Sequence, residues 1–182
     1  MWKYIIIAII VLIVLYVLVV YNKLISLNNK VKEAFSTMDV YLKKRWDLIP
    51  NLVESVKGYA KHEKIALEEI TELRNKTYDK MSNDEKIKAN EQLTGNINKI
   101  MAIAESYPDL KASENFINLS KELSNVEDEI ANSRKYYNAV VRIFNNKVQM
   151  FPSNLIAHMI GYTPKAMFEA NENERNNINV EL

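Results

Sequence analysis

Residues 116–148 read FINLSKELSNVEDEIANSRKYYNAVVRIFNNKV. Neither glycine nor proline interrupts this stretch, and its apolar residues recur at steps of three, four or seven positions. Such spacing places them on one face of an α-helix, which has about 3.6 residues per turn. The residues of that face are Phe116, Leu119, Leu123, Val126, Ile130, Tyr137, Val141, Phe144 and Val148. The stretch therefore predicts a long amphipathic helix whose apolar face packs against other helices.

The segments before this helix show the same period. Apolar residues at helical spacing occupy residues 24–42, 52–73 and 82–104. Asp84, or Ser82 with Glu85 in capping-box spacing, marks the start of the third helix, and Pro152 ends the fourth before a short helix at residues 153–161. No stretch alternates with the two-residue period of a strand. We predict an all-α fold, with an elongated up-and-down bundle of the four-helix type.

Pro50 leaves two arrangements open. Asp47 can cap a new helix that has Pro50 in its first turn, where the missing amide costs little, and we favour this turn at residues 46–50. The apolar phase from Leu42 through Ile49 to Leu52 also fits a kinked continuous helix. With the turn, the fourth helix runs back towards the membrane. With a continuous helix, its end points away.

The amino-terminal residues predict a membrane anchor. Residues 5–20 read IIIAIIVLIVLYVLVV, with Trp2 and Tyr4 before them and Tyr21 after them. The distance from Tyr4 to Tyr21 is roughly 26 Å in a helix, close to the ~30 Å hydrocarbon thickness of a bilayer. The three aromatic residues fall where headgroups lie. Residues 21–26 lack the small residues of a cleavage site, so we favour an uncleaved anchor over a secretory signal.

Charge gives the orientation and limits the partners. Lys3 stands alone before the apolar run, whereas Lys23, Lys30 and Lys32 follow it, so we expect the amino terminus outside the cell membrane and the bundle in the cytoplasm. The chain has 24 basic and 23 acidic residues and no cysteine. This balance gives no sign of the basic field that nucleic-acid binding needs, so we expect no nucleic-acid partner. We divide the chain into an anchor at 1–22, a bundle at 23–168 and a polar tail at 169–182.

The sequence shows no complete catalytic or metal-binding motif. His62 and Glu63 resemble the start of the zinc-protease motif, but the second histidine is missing because position 66 is Ala66. The three glycines are too scattered for a phosphate-binding loop. We therefore expect no catalytic residue, metal ligand, cofactor or small-molecule substrate.

Three polar residues fall among the apolar positions. They are Arg45, Glu63 and Ser133. We interpret Arg45 as a helix-end residue whose side chain reaches water, and Glu63 as a residue that bonds to a neighbouring helix. A recognition or proton-sensing site at His62 and Glu63 is the alternative.

Six segments resemble the LemA family over nearly the whole chain. They are VKEAFSTMDV (31–40), LKKRWDLIPNLVE (42–54), VKGYAKHE (56–63), YPDLKA (107–112), RKYYN (134–138) and FPSNLIA (151–157). The resemblance implies a bacterial single-pass membrane protein with an up-and-down helical bundle and a short external amino terminus. Trp46 departs from it, since His or Asp is common there. The molecular function of the family is itself uncertain.

These observations favour a membrane-anchored helical scaffold or adaptor that self-assembles or docks an envelope protein. The best candidates for a partner site are Asp47, Pro50 and Asn51, together with His62 and Glu63. The alternative is a membrane-organising protein in which the apolar segment 151–168 also touches the lipid bilayer. An enzyme is the third reading.

Overall fold

The computed structural model describes residues 1–59, 68–72 and 77–168. Its regular elements are α1 (Trp2–Lys57), a 3₁₀ turn (Tyr78–Lys80), α2 (Asn83–Glu105), α3 (Pro108–Lys111), α4 (Glu114–Gln149) and α5 (Ser153–Met159). Residues 68–72 are helical as well. No strand occurs in these three ranges, and the prediction of an all-α fold is confirmed.

The favoured turn at residues 46–50 is wrong. Helix α1 continues through Pro50 to Lys57, and the chain turns at residues 58–59. A proline inside a helix costs about 3 kcal/mol, because its nitrogen cannot donate a hydrogen bond and its ring crowds the preceding turn. The apolar stripe around it offsets this cost, since burying each such side chain contributes about 1.5–3 kcal/mol. The members of that stripe are Leu42, Ile49, Leu52 and Val56, each 2% exposed or less.

Two compact units share the long helices. Unit 1 contains Met1–Phe35 and the chain from Arg134 onward, and unit 2 contains Ser36–Ser133. Helices α1 and α4 each contribute one part to unit 1 and another to unit 2.

Unit 1 pairs the first part of α1 with the last part of α4. The ring of Phe35 meets the edge of the Tyr137 ring at a centroid distance of 5.8 Å. From this contact, one buried stripe runs back along α1 to Val20 and another runs forward along α4 to Val148. The two stripes cover each other only if the helices are antiparallel. The expectation that a continuous first helix sends the end of the fourth helix away from the anchor is therefore wrong, because α4 runs antiparallel to α1 in this unit.

An extended segment at residues 162–168, which we call the strap, lies along α4 in unit 1. Asn138 donates from Nδ2 to the carbonyl of Phe168 and accepts from its amide, both at 2.9 Å. Asn145 makes the same pair of bonds with Lys165, both at 2.8 Å. Two asparagines that are two helical turns apart thus hold the strap by its backbone.

Unit 2 buries apolar side chains from α1, residues 68–72, α2, α3 and α4. The start of α2 follows the predicted capping box: the amide of Glu85 donates to Ser82 Oγ at 3.3 Å, and the amide of Ser82 donates to Glu85 Oε2 at 2.8 Å. The large side chains that are wholly buried in this unit include Met38, Leu42, Ile49, Leu52, Ile70, Leu93, Ile100, Leu110 and Ile130. This packing fixes the helix faces on which the polar residues of unit 2 are presented.

Candidate functional site

Three of the predicted partner residues lie on one helix instead of a loop. Asp47 and Asn51 are exposed, four residues apart on α1, and Pro50 beside them is partly exposed. Asp47 does not start a helix; its carboxylate pairs with Lys43 at 2.6 Å, one turn earlier. The other two predicted residues, His62 and Glu63, lie outside the described residues.

Asn51 lines a groove in unit 2, which we call the Asn51 groove. Its lining consists of Asn51, Glu54 and Ser55 from α1 with Asn115 and Leu119 from α4, and its volume is about 430 Å³. The hydroxyl of Ser55 donates to the Asn51 carbonyl at 2.8 Å. An amide side chain offers both donors and an acceptor, and a carboxylate offers acceptors. The groove therefore has the mixed hydrogen-bonding capacity that a polypeptide surface or backbone can match.

Ion pairs fasten α1 to α4 next to this groove. Lys44 pairs with Glu122, and both side chains are substantially exposed. The hydrogen bond from Lys44 lowers the pKa of the Glu122 carboxyl, and the charge of the same lysine adds to this effect. Arg45, the next residue on α1, pairs with Glu127 at 2.9 Å.

Arg45 is buried in the middle of α1, so its interpretation as a helix-end residue that reaches water is wrong. Its side chain is 3% exposed. Its Nη1 donates to Asn90 Oδ1 of α2 at 3.0 Å, while Nη2 contacts Glu127 of α4. A buried guanidinium is tolerated only when it is paired in this way. The Arg45 network therefore ties three helices together.

A second polar cluster surrounds Asp39. Tyr78 donates its hydroxyl to Asp39 Oδ1 at 2.6 Å, and Lys86 contacts Oδ2 at 2.6 Å. The Tyr78 ring packs against Trp46 at a centroid distance of 5.5 Å. Burial raises the pKa of Tyr78 far above its ordinary value, and the hydrogen bond to Asp39 adds to this shift. The phenol thus remains a neutral donor that holds the segment after residue 77 against α1.

Sequence reasoning missed this cluster and the two asparagines of the strap. Asp39 and Tyr78 are 39 positions apart, and Asn138 and Phe168 are 30 apart, so no local pattern links them. Within residues 1–59, 68–72 and 77–168, no three His, Asp or Glu side chains are grouped closely enough to hold a metal ion.

The amino-terminal part of α1 has the exposure of a membrane span. Its most apolar 18-residue window is only 6% buried, and α1 is the one helix in the described ranges that is long and apolar enough to cross a bilayer. Trp2 is 82% exposed, Tyr4 78% and Tyr21 43%. A continuous apolar surface of this length is unsuited to water and matches a bilayer interior.

Comparison with known proteins gives one family. The LemA family model matches residues 34–182. Protein LemA of Metamycoplasma hominis is 32% identical over 158 residues, which cover 85% of this chain and 71% of that protein. Two magnetosome proteins of Paramagnetospirillum magneticum, MamQ 1 and MamQ 2, are each 27% identical over 73 residues, or 40% of this chain and 27% of theirs. The chain is therefore a membrane-associated member of the LemA family.

Proposed function

We propose that this protein is a membrane-anchored scaffold that docks another polypeptide at the bacterial cell membrane through the Asn51 groove. The observation that supports this function is the continuity of α1. The membrane span and the groove residues Asn51, Glu54 and Ser55 belong to a single helix, Trp2–Lys57. A partner bound at the groove is thus attached to the anchor by hydrogen-bonded helix, without a flexible linker.

The chemistry of the groove favours a polypeptide as the partner. Its lining combines the amides of Asn51 and Asn115 with the carboxylate of Glu54 and one apolar side chain, Leu119. All of these residues stand on helices, which position side chains more accurately than loops do. The excess of lysines after the apolar run favours a cytoplasmic bundle, so the proposed partner is a cytoplasmic or inner-membrane protein.

Site-specific photo-crosslinking in native membranes tests this function. A photoreactive amino acid replaces Asn51 in the groove, and the same residue replaces Asn98, an exposed asparagine on α2, as the matched control. We expect a discrete crosslinked species at position 51 and none at position 98. Mass spectrometry then identifies either a different protein or a second copy of this chain, and both are forms of scaffolding.

Charge reversal in the groove provides a second measurement. Glu54→Lys replaces the carboxylate of the groove by an ammonium group. Because position 54 is exposed, we expect the variant to fold. We expect this variant to abolish the crosslink made from position 51. Uncrosslinked monomer at both positions, or equal labelling at 51 and 98, overturns the proposal.

A further inference from the structure

Basic residues are concentrated in the described extramembrane part of unit 1, residues 22–35 and 134–168. This region, which we call the basic end, contains a single acidic residue, Glu33. Its eight basic residues are Lys23, Lys30, Lys32, Arg134, Lys135, Arg142, Lys147 and Lys165. The whole chain has a net charge of only +1, so the compensating acids lie elsewhere. Those that follow Phe168 lie outside the described residues.

The register of α1 and α4 places the end of α4 beside the end of the membrane span. The fixed point is the ring contact between Phe35 and Tyr137. In antiparallel helices, eleven residues forward from Tyr137 reach Val148, and eleven residues back from Phe35 reach Leu24. Each of these eleven-residue stretches is about 16 Å long. Both of these residues are buried. The residues just after Val148 therefore lie level with positions 21–22, where the apolar run ends.

Four large apolar side chains are exposed at this level. Met150 is 62% exposed, Phe151 78%, Leu155 57% and Met159 85%. Leu155 and Met159 are one turn apart on α5, whereas Ile156 and Ala157 are buried on its opposite face. We call these four side chains the tip.

Hydrogen bonds hold the tip in place. The hydroxyl of Ser153 is 2.7 Å from the carbonyl of Lys147 and 2.9 Å from that of Met150. Ser153 is 2% exposed, so these bonds are shielded from water. The tip is therefore presented by a braced turn instead of a free loop.

We propose that the basic end is a lipid-binding surface, in which the tip enters the bilayer interface and the basic residues nearest to it in register contact anionic headgroups; these are Lys23, Arg142, Lys147 and Lys165. Exposed apolar side chains together with basic residues at the level of the headgroups are the features of an interfacial anchor. Long basic side chains can lay their stems on apolar surface while the charge reaches phosphate. The tip contacts the same bilayer that the membrane span crosses, because the register places the tip level with the end of the span. This contact is independent of the Asn51 groove and fixes the bundle to the membrane at a second point.

Depth-dependent fluorescence quenching tests the proposal on the full chain in vesicles. The chain has no cysteine, so Phe151→Cys and Met159→Cys each give a single labelling position, and Asn98→Cys on α2 is the control. The vesicles contain phosphatidylglycerol and phosphatidylcholine, at no more than one chain per vesicle on average. We expect lipid-borne quenchers to act at positions 151 and 159 at least twofold more strongly than at 98. Aqueous iodide should show the opposite order.

Two further variants test the headgroup contact. Lys147→Glu and Arg142→Glu are introduced together into the labelled Met159→Cys chain, which keeps Phe151. We expect lipid quenching at position 159 to fall at least twofold in phosphatidylglycerol vesicles, and high salt to have the same effect on the parent chain. Equal iodide quenching at 151, 159 and 98 overturns the insertion of the tip. Unchanged lipid quenching in the charge-reversed chain overturns the contact with anionic headgroups.

Discussion

Replacing Glu127 by Gln tests the Arg45 network most directly. The substitution keeps the size of the side chain and one acceptor oxygen, but it replaces the other oxygen by an NH2 donor and removes the charge that faces Arg45. The guanidinium is 3% exposed and lies 2.9 Å from Glu127. It keeps its bond to Asn90 Oδ1 at 3.0 Å, but an amide supplies only a partial charge.

The expected destabilisation is intermediate between two limits. Removing one partner of a fully buried ion pair costs about 3–5 kcal/mol, whereas a fully exposed pair contributes about 0–1 kcal/mol. The Glu127 side chain is 43% exposed, so solvent screens part of the interaction. We expect Glu127→Gln to lower the free energy of unfolding by about 2 kcal/mol. For a domain of this size that corresponds to about 4–8 °C in melting temperature.

The assay is thermal unfolding of the full chain in one detergent, followed by helical circular dichroism. The chain offers a matched control, since Glu122→Gln removes the carboxylate that pairs with Lys44, the residue before Arg45. The two glutamates are about equally exposed, but Lys44 is 51% exposed whereas Arg45 is buried, so solvent screens both charges of the Lys44–Glu122 pair and we expect no measurable shift for this variant. Arg45→Met should destabilise less than Glu127→Gln, because methionine needs no charged partner. Equal shifts for Glu127→Gln and Glu122→Gln would refute the reasoning.

Three further predictions concern α1, the Asp39 cluster and the strap. Pro50→Ala should raise the melting temperature by the equivalent of up to ~3 kcal/mol, because an amide replaces a missing donor inside the helix; a lower melting temperature would show that the packing requires the proline. Since the pKa of Tyr78 is raised in the folded state, its contribution to stability is complete below its ordinary pKa of about 10 and is lost as pH rises above that value. Tyr78→Phe should therefore flatten the alkaline fall of the urea midpoint, and an unchanged fall would contradict the role of Asp39 and burial. Asn138→Asp should weaken the strap by about 1–3 kcal/mol, because a carboxylate cannot donate to the Phe168 carbonyl. Faster hydrogen exchange of the Phe168 amide is the expected signal, and unchanged exchange would exclude the bond as a restraint.

Local periodicity was sufficient to predict α4 and the start of α2, whereas the helix predicted over residues 52–73 is interrupted by the turn at residues 58–59. All nine residues of the predicted face of α4, from Phe116 to Val148, are 9% exposed or less. The Ser82–Glu85 capping box also forms as its spacing predicts. These features depend on neighbours within a few residues, which the sequence displays directly.

The course of the chain at Pro50 could not be predicted from local preference. Proline favours a helix start, but the decision rests on whether the stripe from Leu42 to Val56 can be buried, which is a property of the packed unit. Arg45 was misassigned for the same reason, because its partners Asn90 and Glu127 come from other helices. The partner role of His62 and Glu63 remains a prediction.

The significance of the charge distribution in unit 1 follows only from the fold. Over the whole chain the basic and acidic residues nearly cancel, which concealed it. The absence of acidic residues from 134–168 was visible in the sequence. That this segment forms one basic region with Lys23, Lys30 and Lys32 depends on the antiparallel register of α1 and α4, which brings them side by side.

The hydrogen bonds from Asn138 and Asn145 to the strap affect which residues of the strap can vary in evolution. Both asparagines bind main-chain atoms of Phe168 and Lys165, so their hydrogen bonds do not depend on which side chains the strap carries. Substitutions at exposed positions of the strap, such as Thr163 and Ala166, can therefore accumulate without losing this attachment. Phe168 is an exception, because its side chain is 5% exposed and packs on Tyr137, and proline at 165 or 168 has no amide hydrogen to donate. We expect Asn138 and Asn145 to vary less among related sequences than the exposed residues of the strap.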